Sequence, residues 1–362
     1  MGLDQPARVP RKKPEPIVGR RLLRVLEEQL ARLHAATPHG NRVLHYDHVV
    51  VAHLIAFFNP TVRTLRLVEN VFDSPRARRL FKLPAVRRST LADAQRLFDP
   101  ALLQPLVDDL AERVEHRPRP AGLDELTRRI VAVDATFFEV AGRILWALPH
   151  NRTSGRGSVQ LCMPFDVVDG VPAGFTLVDG HQHEATQLGP RLQRNTLYLL
   201  DRGYQSYERL DAIAALDSDF VVRVRSSASF QTLESRPLAA ADRLAGVRQD
   251  RVVTPAARHL KFQTPVRLVE IDGAPSGRGA GNGGAGETAG ADGAGPTAST
   301  VRLLTNRLDL PAELIGTLYR HRWQVELFFR WLKCVVDLRH FLSESPGGIG
   351  RPQARWRAGS VS

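Results

Sequence analysis

Residues 197–224, LYLLDRGYQSYERLDAIAALDSDFVVRV, run through an apolar stretch, a carboxylate, a helical stretch and a second apolar stretch. Leu197 to Leu200 and Phe220 to Val224 are short, β-rich runs, whereas Tyr207 to Leu216 carries its apolar residues at helical spacing. Strands and helices that alternate in this way indicate an α/β domain. Upstream, Ile130 to Val133, Phe137 to Val140 and Val159 to Met163 read as further strands, and weaker β patterns follow at Val266 to Ile271 and Val301 to Thr305. Between the last two lies Gly273 to Thr300, rich in Gly and Ala and almost without large apolar residues. It has too little to bury to order itself and reads as an overgrown hairpin loop.

Ahead of the β-rich part, from about Val18 to Glu115, the period is helical. RLLRVLEEQLARL (21–33) spaces its leucines along one helix face, and HVVVAHLIAFF (48–58) is stopped by Asn59-Pro60. This predicts an all-α N-terminal domain. Within it Ser89, before LADAQRLF, can cap a helix flanked by cations, which suits a small DNA-binding unit but suits an ordinary capped helix as well. HRPRPAG (116–122) reads as a linker. The opening ARVPRKKP (7–14) mixes cations with prolines and reads as a basic arm, serving either DNA contact or solubility.

Lys and Arg outnumber Asp and Glu by 50 to 38, a net charge of +12 that suggests a polyanionic partner such as nucleic acid. Cys162 and Cys334 stand far from any His or Cys at metal-ligand spacing, so neither a disulfide framework nor a zinc site is indicated, and a reducing cytoplasm is the expected compartment. No run reaches the ~18 consecutive apolar residues of a membrane span. His181-Gln182-His183-Glu184 has no partner ligands at suitable spacing and reads as a polar loop, and Asp166 and Asp169 in FDVVDG read as turn residues.

The chemistry-bearing residues fall in three places. Asp134 directly follows the strand-like IVAV, and Asp201 directly follows LYLL. Ligands of α/β sheets bind at the C-terminal ends of strands, so two such aspartates can meet if their strands are neighbours, although a single Asp after a strand is usually a turn residue. The third place is a predicted helix, Ala312 to Leu338. There Tyr319, Arg322, Glu326, Arg330 and Lys333 are spaced three, four, four and three apart, on one face, while Val325, Phe328, Phe329, Leu332 and Val336 form a separate apolar stripe. By periodicity alone, an exposed helix with an Arg322–Glu326 ion pair is the simpler account. With Asp134 and Asp201 added, Glu326 completes three hard oxygen ligands of the kind Mg²⁺ prefers. Arg322 and Lys333 would then hold DNA phosphates, and Trp323 either stacks on a base or joins the core.

The pattern Tyr319-x2-Arg322-x3-Glu326-x6-Lys333 resembles the Tyr-Arg-Glu-Lys signature of DDE insertion-sequence transposases of the insertion-sequence-four group. VAVDATFF around Asp134 and Asp201-Arg202-Gly203-Tyr204 resemble that group's first and second aspartate elements, in the same order, so the resemblance covers roughly residues 128–341. It implies an RNase H-like α/β catalytic core with a mainly β insertion, preceded by the all-α domain. The corresponding boundaries are a disordered basic arm at 1–17, helical domain 18–122, first part of the core 123–225, insertion 226–305 with a disordered loop at 273–300, catalytic helix 306–345 and an irregular tail 346–362.

The resemblance also implies metal-dependent hydrolysis and strand transfer at insertion-sequence ends. Asp134, Asp201 and Glu326 would hold two divalent ions, Mg²⁺ with Mn²⁺ as the alternative, and Tyr319 and Lys333 would contact phosphates near the cut; Arg322, Arg330 and Trp323, on the same helix, are read from their chemistry as further candidates for DNA contact. The partners implied are transposon-end and target DNA and a second copy of the chain, in a bacterial, nucleoid-associated cytoplasmic setting without membrane contact. Members of the group usually continue past the motif helix with another apolar helix. Here the tail SESPGGIGRPQARWRAGSVS (343–362) has no helical apolar period, so a frameshifted or truncated end is expected. A catalytically dead remnant that only binds DNA is the alternative, against which the triad argues: carboxylates facing a polyanion cost affinity unless a metal compensates.

Overall fold

Helical spacing in the first hundred residues and β-rich runs after about residue 128 become separate bodies. The computed structural model describes residues 20–36, 43–59, 61–62, 64–81, 84–97, 100–114, 118–119, 123, 126–140, 157–179, 188–189, 192–256, 262, 265–273 and 300–334. The basic arm, most of the linker, the Gly/Ala-rich segment, the His181–Glu184 stretch and the C-terminal tail lie outside the described residues. Two units are distinguished, residues 1–106 with 332–351 and residues 107–331 with 352–362.

The first unit contains α1 (Arg20–Ala35), α2 (Tyr46–Phe58), α3 (Leu65–Asp73), α4 (Pro75–Phe81) and α5 (Arg88–Leu97). α2 is apolar around most of its circumference and becomes the centre. Its Val49, Val51, Ala52 and Ile55 cluster with Leu33 of α1, Val68 and Phe72 of α3 and Leu91 and Ala94 of α5. Asn59 ends α2, its side-chain amide donating to the Ile55 carbonyl at 2.8 Å, and Pro60 cannot continue the ladder. Thr64 caps α3 by accepting from the Leu67 N–H at 3.3 Å. Ser89 does not cap α5, because the helix begins one residue earlier and Ser89 lies inside its first turn. A short helix, α6 (Gln104–Glu112), follows.

The second unit is built on one ten-stranded sheet. Its strands are β1 (Arg129–Val140), β2 (Gly157–Asp166), β3 (Val171–Pro172), β4 (Thr176–Asp179), β5 (Thr196–Leu200), β6 (Asp219–Arg223), β7 (Phe230–Ser235), β8 (Val247–Pro255), β9 (Val266–Asp272) and β10 (Thr300–Thr305). The order is β3-β2-β1-β5-β6-β10-β9-β8-β7, with β4 also pairing β2. Among the described residues only β1, β5 and β6 run parallel, and every residue of β5 is buried, as a central parallel strand requires. α7 (Tyr207–Ala215) makes the β5-to-β6 crossover and buries Leu210 and Ile213 in a cluster with Tyr198, Leu200, Phe220 and Val222. β7 to β10 extend the same sheet, since β10 pairs antiparallel with β6.

One expectation is corrected. Ile130 to Val133 and Phe137 to Val140 are not separate strands: β1 runs unbroken through Asp134, paired with β2 from Val131 to Val140. What stops at Asp134 is only the parallel pairing with β5, whose last partners are Val133 and Leu200.

α8 (Ala240–Leu244), which precedes β8, packs against α9 (Ala312–His321), and α9 is followed by α10 (Trp323–Cys334). The Asp242 carboxylate accepts from the Glu313 N–H at 3.0 Å and so holds the first turn of α9. Gly316 lets α9 lie close to β9, because a Cβ there would stand 3.4 Å from Ile271 Cδ1. Arg267 of β9, only 2 % exposed, donates two hydrogen bonds of 2.7 Å to Asp250 of β8 and one to the Leu310 carbonyl, tying both strands to the run-in of α9.

The ends of the Gly/Ala-rich segment are cross-strand partners, Asp272 facing Thr300 in the β9–β10 ladder. Replacing residues 274–299 by a short turn is therefore expected to leave the melting temperature within a few degrees of the parent. Loop-closure cost changes only slowly with length, by about 0.6 kcal/mol per doubling. A much larger fall in thermal melting would mean that the segment packs against the sheet.

Candidate active site

β1 and β5 are adjacent and parallel, and their last register pair, Val133 with Leu200, is followed on each strand by an aspartate. Asp134 and Asp201 thus stand side by side, about one inter-strand spacing of ~4.8 Å apart along the sheet edge. The Ala135 N–H donates to Asp134 Oδ1 at 2.8 Å, while Asp201 opens the turn of Arg202–Tyr204 with no hydrogen bond from its side chain to that turn. The common site expected of these residues needs their strands to be neighbours, and they are.

Glu326 reaches the same place through two residues of α9 and its end. Tyr319 Oη donates to Asp201 Oδ1 at 3.2 Å. Arg322 lies between the other two carboxylates, its Nη1 3.5 Å from Asp134 Oδ2 and its Nη2 hydrogen-bonded to Glu326. The guanidinium carbon of Arg322 stands 5.6 Å from the centroid of the Tyr319 ring. The three ion-paired groups are partly screened from solvent, with side-chain exposures of 12% for Arg322, 19% for Asp134 and 28% for Glu326.

The motif helix is not continuous. α9 ends at His321 and α10 begins at Trp323, and at the junction the Arg322 N–H bonds to the Tyr319 carbonyl and the Val325 N–H to the Arg322 carbonyl. Both are i to i−3 bonds, a tightening of the backbone seen in 3₁₀ turns, so Arg322 sits on a local irregularity rather than mid-helix. Glu326 accordingly lies in the first turn of α10, where the helix dipole favours a negative charge.

Burial pushes the Tyr319 phenol up to about 12, so it remains a proton donor throughout the physiological range. For Arg322, burial works against the charge, but Tyr319, Glu326 and Asp134 outweigh it and the pKa is raised. Its Nε–H is buried without a hydrogen-bond partner among the described residues. One guanidinium cannot balance three carboxylates, and an approaching phosphodiester would add to the excess. By chemistry the three carboxylates are hard oxygen donors of the kind that Mg²⁺ or Mn²⁺ takes, but their oxygens do not all stand within 4.8 Å of one another as the ligands of a single ion would.

The remaining sequence-predicted residues are less tightly gathered. Arg330, exposed, and Lys333, half-buried, follow Glu326 along α10 at one and about two turns. Trp323 is 50% exposed, not in the core, and Leu327 and Trp331 follow it at four-residue spacing, 47% and 48% exposed. Of the apolar stripe, Val325 and Phe329 are buried, and Phe328 meets Phe165 with centroids 5.2 Å apart. Asp166 is the turn residue expected, accepting from the Val168 and Asp169 N–H groups, and it also pairs with Arg129 at 2.7 Å. Sequence reading missed Arg223, the last residue of β6, whose charge acts on Tyr319. The strand-end argument used for the aspartates applies to it equally.

Comparison with known proteins gives four likenesses. The family described as "Transposase DDE domain" matches residues 125–349. A protein of Sinorhizobium fredii named as a transposase, y4zB, is 27% identical over 236 residues, 63% of this chain and 59% of the relative. A protein of Geobacillus stearothermophilus, named as the transposase of insertion sequence element IS5377, is 25% identical over 208 residues, 57% of this chain and 48% of its own. The chain therefore spans about half to three-fifths of the length of these relatives. Among solved structures, the piggyBac transposase synaptic complex with hairpin DNA is similar at 10% identity and a TM-score of 0.38, covering 94% of this chain and 78% of that one. A score that low has no bearing on the fold.

Proposed function

The chain belongs to the transposase DDE-domain family, and from that membership we propose that it cuts and rejoins DNA at the ends of an insertion sequence, using Asp134, Asp201 and Glu326. The observation that carries this reading is the gathering of those carboxylates around Tyr319 and Arg322 from two adjacent strand ends and a helix start. An RNase H-like core is supported by the run β2-β1-β5-β6, with its parallel centre and paired aspartates at one edge. The Tyr319-x2-Arg322-x3-Glu326-x6-Lys333 spacing supports the Tyr-Arg-Glu-Lys group.

In this reading Asp134, Asp201 and Glu326 hold two divalent cations, Mg²⁺ or Mn²⁺. Such a pair supplies activation of a water or 3′-hydroxyl and stabilisation of the leaving oxygen. Tyr319 orients Asp201 through its hydroxyl. Arg322 keeps Asp134 and Glu326 aimed at one point through its two Nη groups. Arg330 and Lys333 extend the cationic track along α10, and exposed Trp323 offers a face on which a base can stack. The partners are transposon-end and target DNA, in agreement with the net charge of +12, and a second copy of the chain bridging paired ends, as the family resemblance implies.

The test is incubation of the full chain with duplexes of the terminal repeats flanking its gene, in Mg²⁺ and in EDTA. Nicks bearing 3′-hydroxyls and joined products in Mg²⁺ alone are expected. Binding without any cleavage, in Mg²⁺ or Mn²⁺, would leave only a DNA-binding protein. In the same system Lys333→Ala is expected to weaken end binding and to flatten the log-affinity against log-salt plot by about 0.9, the loss of one phosphate contact. A slope equal to the parent's would remove Lys333 from the DNA track.

A further inference from the structure

The helical unit gathers four side chains that strand cleavage leaves unused. His34 lies in the last turn of α1, and His45, Asp47 and His48 surround the start of α2. His34 Nδ1 stands 3.1 Å from Asp47 Oδ1, and His48 Nε2 stands 3.6 Å from Asp47 Oδ2. One ligand atom from each of His34, Asp47 and His48 lies within 4.8 Å of the other two. His45 stacks on His34 with ring centroids 3.9 Å apart and meets His48 edge-on at 5.8 Å. Its Nδ1 is buried with no hydrogen-bond partner among the described residues.

We propose that His34, Asp47 and His48 form a site for a divalent transition metal, zinc foremost, that clips α1 to α2 and is separate from the carboxylate centre. Two imidazoles and one carboxylate are a common protein ligand set for zinc, with a fourth position left for water or for the unpaired His45 nitrogen. Mg²⁺ prefers carboxylate, carbonyl and water oxygens, whereas imidazole suits Zn²⁺, Co²⁺ and Ni²⁺, so ligand chemistry keeps the two sites distinct. With metal–ligand bonds of about 2.0–2.1 Å, the ligand atoms must draw together by roughly an ångström. His34 is half-exposed, with a side-chain exposure of 48%, and has room to do so.

The proton arrangement sets one condition. His48 Nδ1 accepts the His45 backbone N–H at 3.1 Å, which puts the proton of the neutral ring on Nε2, the nitrogen that faces Asp47. Coordination through Nε2 moves that proton to Nδ1, and the His45 N–H gives up this bond. In His34 the proton leaves Nδ1, now directed at Asp47, for Nε2. Both rings bind as neutral ligands, so no net proton is released by them.

The experiment uses the full chain, free of any affinity-tag histidines and stripped of metal, titrated with Co²⁺ as a spectroscopic probe and then with Zn²⁺ as competitor. One equivalent of Co²⁺ giving the intense visible absorption of a four-coordinate ion, displaced by Zn²⁺ but not by excess Mg²⁺, is expected. Asp134→Asn and Glu326→Gln are expected to keep the band. His34→Gln, a substitution on a half-exposed helix position, and Asp47→Asn are expected to weaken Co²⁺ binding at least about tenfold. Zn²⁺ should raise the melting temperature of the parent but not of His34→Gln, with circular dichroism verifying the fold of each variant. No band in the parent, or a band that survives His34→Gln and disappears in Asp134→Asn, overturns the proposal. Neither outcome depends on whether the chain cuts DNA.

Discussion

Glu326→Gln is expected to abolish metal-dependent strand cleavage, by about three orders of magnitude or more, while leaving DNA binding unchanged or slightly tighter. The substitution keeps the size of the side chain and removes one negative charge, so a polyanion meets less repulsion. If Glu326 is a metal ligand as proposed, the substitution also replaces that carboxylate by a weaker neutral amide, and the loss of several kcal/mol of transition-state stabilisation corresponds to that rate effect. Arg322, which pairs with both Glu326 and Asp134, keeps the second partner, so the turn between α9 and α10 is expected to hold. Binding by electrophoretic mobility shift and nicking on denaturing gels separate the two effects. Cleavage at the parental rate would remove Glu326 from the chemistry.

The second large effect concerns stability. Asp250→Ala is expected to cost about 3–5 kcal/mol, because it leaves the Arg267 guanidinium buried without its carboxylate. The pair is enclosed, with side-chain exposures of 2% and 4%, and each of its two hydrogen bonds is 2.7 Å long. For a unit of this size that corresponds to a melting temperature lower by roughly 10 °C. The double variant Asp250→Leu with Arg267→Met removes both charges at once and is expected to recover most of the loss. A fall of less than about 1 kcal/mol in Asp250→Ala would mean that water or a neighbouring group takes over the carboxylate's place.

Much of this arrangement is legible in the residues. LYLLD followed by a helical stretch and FVVRV specifies a buried strand, a carboxylate at its end, a crossover and a second strand, because the periods are unambiguous and every apolar residue of the strands faces a covered side. Asp134 is harder. A charge after IVAV reads as an end, yet β1 continues because β2 goes on pairing after β5 has stopped, and a change of neighbour leaves no mark in a single strand's pattern. β7 escapes notice for a related reason: as an edge strand it is exposed from Gln231 to Ser235 and lacks apolar alternation. The break at Arg322 involves neither proline nor glycine, so nothing in RHRWQ announces it. His34 and His48 come from different helices and form no motif. Arg267, an ordinary charge within VRLVEID, declares its burial only through partners in β8 and before α9.

The place of β10 has a consequence for the order in which the protein can assemble. β6 leaves β5 at residue 223 but receives its other neighbour only when residues 300–305 arrive, and α9 and α10 follow from that strand. Pairings so distant in sequence form late, since the entropy of closing the intervening chain is spent before the contacts repay it. A chain halted before residue 300 carries Asp134 and Asp201 but lacks Glu326, and the edge of β6 stays open to strands of other molecules. Closure of the sheet by β10 therefore covers the open edge of β6 and, on the proposed reading, brings in the helices that carry the third carboxylate, so that an unfinished copy would lack it.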